Sequence, residues 1–158
     1  MDCTIREARP EDRPALVRLM GDLHEYEAAL EENRAGREAA DGHLAWVEGQ
    51  VAALGGVILV GERQGAVQGF VCYTFEEDPG TFVKPAYRRH ALIWDIAVAE
   101  EARGQGLGRA LLAAAEDAAR KAGISEMRLY VLEANERARR IYAEAGFRGY
   151  ELFLAKRL

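Results

Sequence analysis

The sequence predicts a mixed α/β (α+β) fold built on one central mixed sheet. Strand patterns and helical periodicities interleave in the order β-α-α-β-β-β-α-β-α-β, which layers helices and strands into one core. Glycines close the helical runs at Gly55-Gly56, Gly123 and Gly146, giving each a defined end. A chain of 158 residues that is 49% hydrophobic suits one compact domain, 1–158, with a substantial core.

The first strand spans Cys3 to Arg9, with Cys3 and Ile5 on one face, and Pro10 ends it. Asp12 is positioned to cap a helix whose first turn tolerates Pro14. Leu16, Leu19, Met20, Leu23, Tyr26 and Leu30 then recur at helical spacing, and a polar connection follows over 31–40. A second helix from near Asp41 buries Leu44, Val47, Val51 and Leu54. Val57 to Arg63, the turn Gln64-Gly65, and Ala66 to Glu76 read as a hairpin. Residues 77–89 form a long irregular connection, a place where function often lies. Ala91 to Val98 is a nearly continuous apolar strand broken by Asp95. A long helix from about Gly106 to Ala122 buries Leu107, Leu111, Ala114, Ala115 and Ala118. Glu126 to Leu132 is a strand, Asn135 to Ala145 a helix, and Tyr150 to Lys156 a last strand. Core positions are expected at Ile96, Val98, Leu111, Ala115, Leu129, Val131 and Ile141.

Composition narrows the function. A formal net charge of −5 argues against coating nucleic acid by bulk electrostatics. The two cysteines, Cys3 and Cys72, form no CxxC pair, and His24, His43 and His90 show no metal-ligand spacing, so no metal site and no disulfide are expected. The longest apolar run, Val51 to Val60, is too short to span a bilayer. The charged N-terminus lacks the apolar core of a signal peptide, and a cytoplasmic protein is expected.

The chemistry concentrates in Arg103-Gly104-Gln105-Gly106-Leu107-Gly108-Arg109, between a buried strand and a helix start. A helix's first turn carries unpaired N–H groups and the positive end of its dipole, and glycines let an anion approach them. A phosphate-binding Walker loop needs Gly-Lys-Ser/Thr, but Gly108 is followed by Arg109-Ala110. A dinucleotide fingerprint counted from Gly104 would need a third glycine where Arg109 stands. Arg103-x-x-Gly106-x-Gly108 fits the acetyl-coenzyme A pattern R/Q-x-x-G-x-G/A.

The sequence thereby resembles the GNAT superfamily of N-acetyltransferases. DIAVAEEARGQGLG (95–108) is similar to the family's strand, acidic connection and loop, and Asn135-x-x-Ala138-x-x-x-Tyr142-x-x-x-Gly146-Phe147 to its N-x-x-A-x-x-x-Y-x-x-x-G-F. The order of elements agrees across nearly the whole chain. The resemblance implies a mostly antiparallel mixed sheet of six or seven strands flanked by about four helices. It also implies acetyl-CoA as co-substrate, a primary amine as acceptor, and direct attack in a ternary complex. The pantetheine arm would run along Ile96-Ala97-Val98, where this strand splays from Glu126–Leu132, and a backbone N–H there would hold the thioester oxygen. Arg103 to Arg109 would bind the pyrophosphate, with Asn135, Ala138 and Tyr142 also on the cofactor. Tyr142 is similar to the family tyrosine that protonates the departing thiolate; packing its ring into the core is the other reading. Asn135 would contact the cofactor, cap its own helix, or both.

The base is less defined. An alkylamine near pKa 10.4 is neutral in only about one molecule per thousand at pH 7, so deprotonation costs roughly 4–5 kcal/mol. Several relatives carry a glutamate where this chain has Trp94, and strand alternation puts Trp94 and Asp95 on opposite faces. Asp95, Glu77 and Glu76 are the carboxylate candidates. Against each stands a structural reading: a hydrogen-bonded strand carboxylate for Asp95, a solvated turn for the other two. Trp94 could line the acceptor pocket. Glu25, Glu27, Glu76, Glu77 and Asp78 would favour a cationic small-molecule amine if they meet over the cleft, and LMGDLHEYE (19–27) faintly resembles polyamine and thialysine acetyltransferases. A peptide amine as acceptor, and a cofactor-binding sensor without catalysis, remain as alternatives. The alternation of the C-terminal segment permits a homodimer.

Overall fold

A computed structural model describes residues 3–158. Its strands are β1 (Thr4–Glu7), β2 (Val57–Arg63), β3 (Ala66–Glu77), β4 (Arg89–Val98) and β5 (Met127–Leu129). The helices are α1 (Arg13–Leu30), α2 (Ala40–Leu54), the single turn α3 (Pro85–Arg88), α4 (Leu107–Lys121) and α5 (Glu136–Glu144). The sheet runs β1-β2-β3-β4-β5, antiparallel through β4, with β5 parallel to β4.

Helices cover both faces. α1 and α2 pack on each other and on β3 through Leu16, Leu19, Met20, Leu44 and Val47, all buried. α4 lies across β2 and β3 with Leu107, Leu111, Leu112 and Ala115 buried. Its seat is a cross-strand glycine pair, Gly61 opposite Gly69. A Cβ at Gly61 would stand 2.5 Å from Leu107 Cδ1, and one at Gly69 would stand 2.9 Å from the Ala97 carbonyl oxygen. Bare backbone here lets the start of α4 sink onto the sheet.

Several elements differ from the sequence reading. The first strand is shorter than 3–9, and Asp12 does not cap α1. Its carboxylate accepts from Arg6 at 2.7 and 3.0 Å and from the Arg9 N–H at 2.7 Å, so local pairing outcompetes the helix start. The strand expected over 126–132 shrinks to three residues, because the chain leaves β4 after Leu129 to reach α5. Val131 and Ile141 are therefore exposed, at 38% and 40%, instead of core. Residues 150–158 form no strand: Leu152, Phe153 and Leu154 are 84%, 95% and 84% exposed, with no sheet edge against them. The sheet accordingly has five strands instead of six or seven.

Candidate active site

β4 and β5 pair only at Ala91–Met127, Leu92–Arg128 and Ile93–Leu129, then part. Beyond Ile93, β4 remains bonded to β3, with Ile96 opposite Val71, Ala97 opposite Phe70 and Val98 opposite Gly69. Its other edge is open. The gap is a cleft of about 80 Å³ lined by Leu23, Glu27, Trp94, Asp95, Tyr142 and the neighbouring β4 and β5 residues, with Asn135 and Ala138 at its α5 side. A wider hollow of about 470 Å³ between Tyr26 and α5 holds none of the sequence-predicted site residues.

The glycine loop stands at the far end of this open edge. Gly104 and Gly106 adopt φ +72° and +83°, left-handed values that favour glycine. Gly106 is the N-cap of α4 and offers no side chain to its first-turn N–H groups, which stay available to an external acceptor. A Cβ on Gly108 would stand 3.6 Å from Val98 Cγ2, so the helix start and the end of the open strand are in contact. Arg103 Nε donates to the Val98 carbonyl at 3.1 Å, Gln105 to the Glu101 carbonyl at 2.9 Å, and Arg109 pairs with Glu144 at 2.9 Å. The two arginines are tethered beside the loop, and the N–H groups from Leu107 onward are not capped by any side chain.

Asn135 is buried and caps α5, its Oδ1 accepting from the Ala138 N–H at 3.1 Å. Tyr142 leans its ring edge on Phe147 at 5.9 Å. Burial, and then the negative charges of Glu27 and Asp95, push the Tyr142 phenol up to about 12, so it stays protonated and able to donate.

Trp94 and Asp95 do not alternate. Cys72 is opposite Asp95 and Tyr73 opposite Ile93, which leaves Trp94 as the extra residue of a β-bulge. Both side chains reach α2. The Trp94 ring meets Trp46 edge-on at 4.9 Å, and Asp95 Oδ2 lies 3.2 Å from His43 Nε2. Trp94 Nε1 also donates to the buried Thr74 hydroxyl at 2.9 Å, and that hydroxyl donates to Glu76 at 2.7 Å.

Of the acidic residues expected over the cleft, Glu27 arrives and the others do not. Glu25 pairs with Arg37 at 2.6 Å, and Asp78 forms two 2.9 Å bonds to Arg128. Glu77 is exposed and faces Arg89 at the opposite end of β3, about 17 Å along the strand from Cys72. It is not brought to the cleft, nor is Glu76. Glu27 is pushed up, first by burial and then by the charge of Asp95. The residue that sequence reasoning missed is His43, which lies 52 positions from its partner Asp95. The available hint was its place beside Leu44 and one turn before Val47, at the border of the buried face of α2.

The acetyltransferase (GNAT) family model matches residues 15–147. The chain belongs to this family. As a GNAT acyltransferase it is 33% identical over 147 residues to a thialysine N-epsilon-acetyltransferase of Bos taurus, covering 90% of this chain and 82% of that one. Its fold is shared with a GCN5-related N-acetyltransferase from Ralstonia eutropha JMP134, at TM-score 0.75 and 20% identity over 99% of this chain and 98% of the other. It is shared also with a Clostridium acetobutylicum protein, described as a predicted acetyltransferase and solved with acetyl-CoA, at TM-score 0.72 and 17% identity over 98% and 96% of the chains. No helix among the described residues is long and apolar enough to cross a membrane.

Proposed function

We propose that this GNAT protein transfers the acetyl group of acetyl-CoA to a primary amine of a cationic small molecule, by direct attack in a ternary complex. The observation that carries this is the meeting of Glu27, Asp95 and Tyr142 in one cleft at the open edge of β4.

In this reading the pyrophosphate takes the N–H groups of Leu107, Gly108 and Arg109, and the pantetheine amides pair with the free edge of Ile96-Ala97-Val98. Glu27 and Asp95 draw the acceptor ammonium into the cleft, and a carboxylate accepts its proton, directly or through one water. The neutral nitrogen then bonds to the thioester carbon. As the C–S bond breaks, the Tyr142 hydroxyl hands its proton to the sulfur, the nitrogen gives up its second proton to solvent, and solvent reprotonates Tyr142. The β4 main chain supplies an N–H for the carbonyl oxygen as charge gathers there. The thialysine acetyltransferase named above acts on an amino acid with a side-chain amine, which agrees with two carboxylates facing the acceptor. The free thiols of Cys3 and Cys72 suit a cytoplasmic setting, and the exposed tail residues Leu152, Phe153 and Leu154 offer the surface for a homodimer, which light scattering tests.

Thiol release from acetyl-CoA, followed with 1,4-diaminobutane, L-lysine, glucosamine and a lysine-containing peptide, tests the reading. Release with 1,4-diaminobutane ahead of the others is expected. Tight acetyl-CoA binding with no release from any amine would favour the sensor instead.

A further inference from the structure

His43 touches neither the loop nor the sulfur side of the cleft, yet it holds the one carboxylate on the β4 side of the acceptor cleft. Its ring is fixed between His24 of α1, with centroids 5.0 Å apart, and Trp46, stacked at 5.8 Å. From that seat Nε2 reaches Asp95 Oδ2 at 3.2 Å. Cys72 Sγ approaches the same oxygen at 3.7 Å and the Asp95 carbonyl at 3.5 Å. Among the described residues no protein donor meets Asp95 Oδ1, and that oxygen is not sealed from solvent. One oxygen is thus held from behind by a packed ring and the other is left for a ligand, the arrangement that pre-orients a functional side chain.

We propose that His43 is a positioning residue for the acceptor amine: it fixes the Asp95 carboxylate that receives the ammonium and, by gaining or losing one proton, sets the charge that carboxylate presents. The inference rests on the acetyl-transfer reading. A neutral imidazole with its hydrogen on Nε2 donates to Oδ2 and leaves Asp95 at full negative charge. An imidazolium makes the same bond and cancels that charge. Position is kept in both states, while attraction for a cation is kept only in the neutral one.

The groups facing this pair are His24 and Glu27 from α1, Cys72 from β3 and Tyr142 from α5. The hydrogen bond to Asp95 raises His43 above the usual 6.5, with burial opposing it. His24 is lowered, by burial first and then by the charge of His43, so it is neutral where His43 takes its proton. Burial holds the Cys72 thiol well above its ordinary range, so it stays S–H. Glu27 is also raised, by burial first, and needs its own control.

The test is the pH dependence of the amine KM between pH 6 and 9, from thiol release with the fastest of 1,4-diaminobutane, L-lysine and glucosamine. In the wild type, the amine KM should fall about tenfold through an inflection at the His43 titration, while the KM for acetyl-CoA stays level. Deprotonation of the free amine is common to every variant and cancels in the comparison. His43→Gln keeps an N–H donor without the titration and should lose the inflection. His43→Leu loses both and should raise the amine KM throughout. Glu27→Gln should keep the inflection. Binding linkage is reciprocal, so saturating 1,4-diaminobutane should move the His43 ring titration, read by NMR, to lower pH, and Asp95→Asn should do the same. An inflection that survives in His43→Gln, or a His43 titration unmoved by the diamine, overturns the proposal. If no amine releases thiol, the acetyl-transfer reading fails instead, and the NMR titration still decides the role of His43.

Discussion

Trp94 and Asp95 are consecutive on β4, yet both side chains reach α2, one meeting Trp46 and the other His43. The cause is the register slip opposite Cys72 and Tyr73, which removes Trp94 from the ladder. A regular strand would have turned one of the two toward α4. The bulge therefore builds one wall of the cleft from two neighbours, an indole and a carboxylate, on one strand.

Trp94→Phe keeps most of the ring contact and removes the donor to Thr74, which is fully buried. The expected cost is about 1 kcal/mol, read as a lower urea midpoint at unchanged slope. Because the phenyl ring still lines the cleft, acetyl-CoA affinity should hold. A midpoint equal to the wild type would mean that the Thr74 hydroxyl finds another donor.

Asp95→Asn preserves shape and removes charge. The kcat/KM for a cationic amine should fall by about 100- to 1000-fold while the acetyl-CoA Kd is unchanged. Glu77→Gln is the matched control. Glu77 is exposed at the other end of β3, so its loss should change kcat/KM by less than about twofold. Equal effects of the two substitutions would remove Asp95 from the acceptor site.

The geometry of the proposed donor side was legible in the sequence because its requirements are local. Gly104 and Gly106 take left-handed backbone at the start of α4, and Asn135, Ala138 and Tyr142 lie together at one short helix. The β4 wall proposed for the acceptor was not legible. Strand alternation misplaced Trp94 against Asp95, since a bulge is a property of the pairing between strands and leaves no mark in β4 alone. His43 met Asp95 only once α2 packed on the sheet. Asp78 and Glu25 looked like cleft carboxylates until Arg128 and Arg37 claimed them. The glycines at 61 and 69 read as weak points in two strands, and they are the seat of α4. The C-terminal alternation predicted a strand, but alternation needs a neighbouring edge, and residues 150–158 have none.

Tyr142→Phe removes the proton donor and leaves the ring against Phe147. The kcat should fall by about 10- to 100-fold with acetyl-CoA affinity retained. The raised phenol also makes a stability prediction. Its folded value is about 12 against an ordinary 10. The phenol's contribution is therefore complete below pH 10 and is lost as pH rises toward 12, because the unfolded chain ionises first. Between pH 10 and 12 the wild-type Tm should fall more steeply than that of Tyr142→Phe. Parallel curves would place the hydroxyl in solvent.

Gly69→Ala tests the seat of α4. The new methyl would press on the Ala97 carbonyl at 2.9 Å, a main-chain atom that cannot swing away, and on Leu111 at 3.2 Å. A cost of about 1–3 kcal/mol is expected. The helix start should lift from β4, so acetyl-CoA affinity should drop even though residue 69 is remote from the proposed pyrophosphate site. Loss of stability without loss of affinity would separate the seat from that site.

Gly106 and Gly108 are two residues apart in the glycine loop, and their backbones differ. Gly108 lies inside α4 with ordinary helical geometry, and an added Cβ would meet Val98 Cγ2 at 3.6 Å, a normal contact. Gly108→Ala should therefore stabilise the fold by about 0.5–1 kcal/mol, since alanine loses less entropy in a helix, and acetyl-CoA binding should survive. Gly106 is held at φ +83°, where an L side chain costs about 1–2 kcal/mol. Relieving that strain would rotate the very peptide planes that aim the first N–H groups of α4. Gly106→Ala should consequently lower Tm and raise the acetyl-CoA Kd by at least about tenfold, and Gly106→Val more. Calorimetry with acetyl-CoA on all three variants, each checked by circular dichroism, reads both effects. If Gly106→Ala binds as the wild type does while remaining folded, main-chain donors at the mouth of α4 do not hold the diphosphate.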